Sequence, residues 1–264
     1  MTSSNQAASI LVVEDDSALR EALVDTLEMA KFSVHQAQSA EEALTLLGQY
    51  AGYSLIVSDV NMGRLSGHDL LRLVKQDYPH IPVVMDPVLT SGRGDELANE
   101  ETIDAMRELL LSQVTILTPN SLEARHLAVQ DTDQSESKLD LGLCAQRLLD
   151  MGCEYVLITG THENTLHVTN TLYAADGIVR SDEWKRLENT YHGSGCTLAS
   201  AIAASLANGL SMSESVVEAQ DYTWHSLRAG FRPGMGQYIP NRFFWAKGEE
   251  ESTSEGSVIE KHRN

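Results

Sequence analysis

Short β-branched runs alternate with longer segments of helical period along most of this chain. Strand-like runs fall at 10–13 (ILVV), 33–37, 55–58 (LIVS), 81–85 (IPVVM), 114–118 (VTILT) and 155–159 (YVLIT). Helical patterns lie between them, near 17–30, 40–49, 66–76, 100–112, 121–128 and 139–151. In the first of these Ala18, Leu19, Ala22, Leu23 and Leu27 recur on one face, and Gly152 stands where a glycine would end the last. The alternation predicts an α/β fold, a doubly wound and mostly parallel sheet with helices on both faces. After Thr159 the rhythm changes. Residues 167–174, Asp176-Gly177 and the run from Ile178 predict an antiparallel hairpin, since Asp-Gly suits a turn with positive φ. Two apolar helices follow at 197–208 and 211–229, then the segment RPGMGQYIPNR, then a polar acidic end whose residues 248–264 read as a disordered tail.

Composition narrows the function classes. The 264 residues hold 38 acids against 19 bases, a net charge of −19, and no basic patch is visible. Such a chain repels phosphate backbones and anionic membrane surfaces, so neither nucleic acid nor membrane is an expected partner. The acid excess is spread along the chain, 11 acids to 5 bases in 1–85 and 22 to 12 in 86–247, so charge marks no domain boundary. Three cysteines without a CxxC spacing suit neither a disulfide framework nor a zinc site, which points to a reducing compartment, by default the cytoplasm. There is no basic leader and no apolar run of membrane-spanning length.

Two strands in the first third end in acids: VVEDD at 12–16 and LIVSDVNMG at 55–63. Neighbouring parallel strands bring their C-terminal ends to one edge, so Glu14, Asp15 and Asp59 could form a carboxylate cluster suited to Mg²⁺. The alternative is that these acids cap the following helices, as Asp16 or Ser17 would here. With the D-x-x-M segment at Asp59, Gly67 after it and the IPVV run, residues from about 9 to 85 resemble the receiver domain of two-component response regulators. The resemblance implies Asp59 as phosphoacceptor, served by a phosphodonor kinase, with Glu14, Asp15, Asp59 and the carbonyl of Asn61 around Mg²⁺. The chain departs from that pattern at Gly63, where a proline is usual. It also departs at Pro87 and Thr118, which fall where receivers carry the hydroxyl and the lysine that read the phosphoryl group.

In the remainder, HGSGC at 192–196 precedes an apolar helix. Gly193 and Gly195 let backbone N–H groups turn inward at the positive end of that helix, which would make an anion hole of Gly193, Ser194, Gly195 and Cys196. The alternative is a small-residue turn into a buried helix. Asn120 and Glu123, three apart after a strand, suit an N-cap with its capping-box partner, a role compatible with a further one. MDPV at 85–88, SGRGDEL at 91–97, TPNSLEA at 118–124, ITGTH at 158–162 and NTYHGSGCTLASAIA at 189–203 occur in the order of one family. Over roughly 83–245 the chain resembles hydroxymethylpyrimidine and phosphomethylpyrimidine kinases of thiamine biosynthesis, which are ribokinase-like. The resemblance implies ATP and Mg²⁺ as cofactors and a small pyrimidine as substrate. It places Asn120, Glu123, Thr159 and Gly160 along the nucleotide, the 234–241 loop near the adenine, and Cys196 as the base that takes the hydroxymethyl proton. A helix N-terminus lowers a thiol's pKa, in keeping with that role.

The two resemblances meet at IPVV-MDPV, an apolar strand common to both, without linker composition. The expectation is a chimera, natural or engineered, of a receiver-like segment 1–85 and a ribokinase-like segment 86–247 sharing one continuous sheet. The usual substrate half of a pyrimidine kinase, with its Gly-rich turn and lid, is not visible in 1–84. Three functions follow: an ATP-dependent pyrimidine kinase, a receiver phosphorylated at Asp59, or a hybrid scaffold without catalysis.

Overall fold

A computed structural model describes residues 9–29, 31–50, 52–59, 62–89, 98–130, 132–133 and 135–246. The expected tail at 248–264, the SGRGDEL segment and Asn61 lie outside the described residues.

The first part runs β1 (Ser9–Val13), α1 (Ser17–Met29), β2 (Ser33–Ala37), α2 (Ala40–Gln49), β3 (Tyr53–Ser58) and α3 (Gly67–Asp77). Its three strands form a parallel ladder in the order β2-β1-β3. β1 is buried throughout, and its period of two divides the core. Leu11 and Val13 meet Ala40, Ala43 and Leu47 of α2 and Leu70 and Val74 of α3, while Ile10 and Val12 meet Leu23, Val24 and Leu27 of α1.

The second part continues with β4 (Val84–Met85), α4 (Glu100–Ala105), β5 (Ile116–Leu117), α5 (Ser121–Ala128), α6 (Leu141–Asp150), β6 (Tyr155–Thr159), β7 (His167–Ala174), β8 (Gly177–Lys185), α7 (Ser194–Ala207) and α8 (Met212–Arg228). α4 runs on through a π turn (Met106–Leu110) and a 3₁₀ turn (Leu111–Gln113). The strand order is β4-β5-β6-β7-β8, parallel as far as β6 and antiparallel beyond it. Leu117, Val156 and Ile158 face α4, α5 and α6; Ile116, Leu157 and Leu172 face Leu198 and Ile202 of α7 and Val216 of α8. Gly152 follows α6 at φ +110, as its position predicts, and a Cβ there would lie 2.7 Å from the Ser112 backbone. The hairpin turn is one residue earlier than the sequence suggests: Ala175 and Asp176 make the turn, and Gly177, at φ +107, already pairs with Ala174.

The strands are the α/β alternation expected, but the single continuous ladder is not formed. Backbone pairing divides into a three-stranded and a five-stranded sheet, with no ladder between β3 and β4. Val83 and Met85 turn their carbonyls to β5, bonding Thr115, Ile116 and Thr118. Side chains cross the seam instead: α7 packs on both β3 and β4. Lys75 of α3 reaches Thr115 Oγ1 at 3.4 Å and Glu154 at 3.7 Å. Among the described residues no helix is long and apolar enough to cross a membrane.

Candidate active site

β1, β3, β4, β5 and β6 are parallel within their sheets, so each sheet collects its strand C-termini, and the loops that follow them, at one edge. In the second sheet this edge carries Asp86 after β4, Asn120 and Glu123 after β5, and Thr159 and Gly160 at the end of β6.

α7 begins at Ser194, with Gly193 as its N-cap at φ +82, a conformation that favours glycine. Gly193 contributes no side-chain cap, so the first N–H groups of the helix are left to another acceptor. Asp86 lies directly against this turn. A Cβ on Gly195 would sit 3.1 Å from its Oδ2, and the Asp86 carboxylate is close enough to act on the Cys196 thiol. Thr197 Oγ1 donates to the Gly193 carbonyl at 2.7 Å and accepts from Arg242 Nε at 3.2 Å. Arg242 Nη2 is 3.3 Å from the place a Gly193 Cβ would occupy.

Electrostatics at the turn correct one expectation. The Cys196 thiol is raised, not lowered: desolvation of the sulfur is the main cause, then the nearby Asp86 carboxylate, with Arg242 pulling the other way. Burial and the neighbouring anion both oppose the thiolate, so Cys196 is no ready thiolate. Asp86 is pushed up to about 6, by burial first and then by the Glu123 carboxylate, against the nearby Cys196 thiol. Cys144 and Cys153 are pushed up to about 11 and about 12, each mainly by burial, as structural cysteines are.

Asn120 and Glu123 form a complete capping box on α5: Asn120 Oδ1 accepts from the Glu123 N–H at 3.0 Å, and Glu123 Oε2 accepts from the Asn120 N–H at 2.9 Å. Glu123 is buried, and its Oε1 accepts from the Leu89 N–H at 3.1 Å, tying the loop after β4 to α5. Its pKa is raised by burial, against those backbone bonds. Thr159 bridges to Asn120, and the Gly160 N–H donates to Asn170 Oδ1 at 3.2 Å. A side chain on Gly160 would run into the Thr169 carbonyl. The 234–241 loop is docked on the approach to α7: Tyr238 pairs with Tyr191, and a cleft of about 550 Å³ opens between residues 188–190 and Arg232, Met235 to Tyr238.

In the first sheet, Glu14, Asp15 and Asp59 do come together, with one carboxylate oxygen of each within 4.8 Å of the others. Glu14 is buried and accepts from the Asp16 N–H at 3.1 Å; the Asp59 N–H donates to the Val13 carbonyl. Asp16 also caps α1 through the N–H groups of Ala18 and Leu19, so capping falls to Asp16 while the other three acids gather at the strand ends.

Asp86 and Arg242 are the residues the pattern did not single out. Asp86 sits in MDPV and shows its importance only through burial beside Cys196. Arg242 follows the 234–241 loop by one position and has no signal of its own in the sequence.

Comparison with known proteins accords with this geometry. The phosphomethylpyrimidine kinase family matches residues 34–241. A hydroxymethylpyrimidine/phosphomethylpyrimidine kinase of Streptomyces coelicolor is 34% identical over 210 residues, 75% of each chain. The response regulator protein FleR of Pseudomonas aeruginosa is 45% identical over 102 residues, which are 39% of this chain and 20% of that protein. Among solved structures, the pyridoxal kinase of Staphylococcus aureus in complex with AMP-PCP and pyridoxal superposes with a TM-score of 0.66 at 20% identity, over 92% of this chain and 96% of that one. The kinase likeness thus reaches back to residue 34, well inside the receiver-like part, and the three-stranded ladder has a counterpart in a whole kinase fold. With four fifths of its length matched, the chain belongs to the phosphomethylpyrimidine kinase family.

Proposed function

We propose that the protein transfers the γ-phosphoryl group of ATP to the hydroxymethyl group of a pyrimidine or of its phosphate, the reaction of thiamine biosynthesis. The observation that carries this reading is the Asp86 carboxylate set against Gly195, beside the Cys196 thiol, at a helix start without a side-chain cap. The donor set fits the cofactor: bare backbone N–H groups at Ser194, Gly195 and Cys196 suit a phosphate, and Gly195 leaves room where a Cβ would press on Asp86. Asn120, Glu123, Thr159 and Gly160 would hold the nucleotide, with Mg²⁺ on the Glu123 side, where a buried carboxylate calls for a cation. Bound ATP would supply the phosphoryl group.

The chain's own residues move the proton. The substrate oxygen forms its bond to the γ-phosphorus as the bond from that phosphorus to the β,γ-bridging oxygen breaks and ADP leaves. The hydroxyl proton goes to Cys196 as the thiol proton passes to Asp86. The N–H groups of the turn face the charge that grows on the phosphoryl oxygens. ADP release with hydroxymethylpyrimidine and its phosphate as acceptors tests the reading. Turnover that falls about 10²-fold or more in Cys196→Ala is expected; wild-type turnover no higher than that of this variant overturns it.

A second reading rests on the Glu14, Asp15, Asp59 cluster and on the likeness to FleR: the first part derives from a receiver, and Asp59 accepts a phosphoryl group with a divalent ion on the three carboxylates. The Asp59 oxygen would bond phosphorus as a small acyl phosphate loses its carboxylate. Incubation with acetyl phosphate and Mg²⁺, followed by intact mass, should show one phosphate added to the wild type and none to Asp59→Asn. An unchanged wild-type mass ends this reading, and the protein is then a hybrid without signalling chemistry.

A further inference from the structure

We infer that Arg242 is a catalytic residue of the proposed phosphoryl transfer, its guanidinium fork closing on the γ-phosphoryl oxygens opposite the N–H groups of the α7 turn. The inference rests on the reading of that turn as the transfer site.

Three observations meet at Arg242. The side chain is exposed yet held: Nε donates to Thr197 Oγ1 at 3.2 Å, and that hydroxyl donates to the Gly193 carbonyl. The backbone is held as well. Tyr222 of α8 donates its hydroxyl to the Arg242 carbonyl at 2.8 Å, and the Asn241 N–H donates to the Ser226 carbonyl at 2.9 Å. Two segments remote in sequence therefore fix where the guanidinium points. Second, Nη1 and Nη2 have no hydrogen-bond acceptor among the described residues, although Nη2 lies against Gly193. The other arginines that organise this half of the molecule spend their forks on carboxylates or carbonyls: Arg125 on Glu163, Arg147 on Asp133, Arg180 on Asp182, Arg186 on the carbonyls of the 161–165 loop. Third, the placement opposes the helix. A cation at the N-terminal end of a 14-residue helix is repelled by the macrodipole, and its charge is close enough to act on the Cys196 thiol. An arrangement that costs the empty protein becomes favourable when an anion lies between the guanidinium and the helix end. A phosphoryl group fits both: planar paired donors on one side, backbone N–H groups on the other.

In the transfer Arg242 keeps its proton throughout. It neutralises the charge spread over the equatorial phosphoryl oxygens while the oxygen–phosphorus bonds are made and broken as described above. Its contribution belongs to the transition state, so kcat should carry the effect.

The test compares wild type, Arg242→Gln and Arg242→Lys. Steady-state ADP release is measured together with titrations of ADP and of ADP with aluminium fluoride, the planar mimic of the transferring group. Arg242→Gln is expected to lose about 10²-fold or more in kcat with little change in either KM. It should bind ADP as the wild type does, bind ADP with aluminium fluoride far more weakly, and melt no lower than the wild type. Arg242→Lys, with the charge but not the fork, should recover part of kcat. A wild type that turns over beside an Arg242→Gln variant of equal kcat overturns this inference and leaves the reading of the site standing. Equal weakening of ADP and of the mimic, or a lowered melting point accounting for the loss, makes Arg242 structural and also overturns it. A wild type with no turnover and no preference for the mimic removes both.

Discussion

Asp86 holds its proton up to about 6 because burial and the Glu123 carboxylate both oppose its charge. Its folded pKa lies above the unfolded one, so the stability it contributes is complete below about pH 4 and is lost as pH rises through about 6. Asp86→Asn, which carries no charge, is therefore expected to be more stable than the wild type at about pH 8, by up to roughly 3 kcal/mol, and equal to it near pH 4. Urea unfolding at the two pH values checks this, and a variant weaker at the higher pH would show that the ionised carboxylate is held by more than its visible neighbours. Gly160 makes the opposite case, in which geometry decides alone. A Cβ there meets the Thr169 carbonyl, and a backbone atom in a paired strand cannot withdraw cheaply. Gly160→Ala should cost about 1–3 kcal/mol in the same unfolding measurement.

The same surroundings act on whole elements through their ends. α5 depends on a reciprocal pair of bonds between Asn120 and Glu123, and Glu123 carries a third to Leu89. Asn120→Ala is expected to lose about 1 kcal/mol of stability through the cap alone, and a rise in the KM for ATP beyond that would show the pair at the nucleotide as well. Calorimetry and initial rates separate the two. The sequence allowed cap and nucleotide site together; the fold shows the cap made, which does not spend the remaining lone pairs of Glu123. The helices were legible from their apolar period, and the fold caps them at Ser39, Ser66, Asn120, Asp140 and Ser211. The π turn at Met106–Leu110 was not, because no residue type marks an i→i+5 bond.

Across the whole molecule, two hydrogen-bonded ladders are joined by side chains. α7 lies across the seam, Lys75 of α3 bonds Thr115, and Val83 and Leu71 both pack into the core of the second ladder. Apolar contact of this kind couples the parts as a ladder would, so scanning calorimetry should show one cooperative transition. Two separated transitions would show that the first 85 residues fold by themselves.

The sequence by itself determined the α/β alternation, the caps at Asp16 and Asn120, the glycines at 152 and 193 and the family, because each depends on neighbours within a few residues or on a motif that is contiguous. It also named the acids Glu14, Asp15 and Asp59, since strand ends of a parallel sheet converge whatever lies between them. Only the tertiary structure decided that backbone pairing divides into two ladders at the seam, that burial and then Asp86 raise the Cys196 thiol instead of lowering it, and that Arg242 reaches the helix start. Those outcomes depend on burial and on charges brought together from distant segments, and a low-dielectric contact between such groups has no counterpart in local sequence.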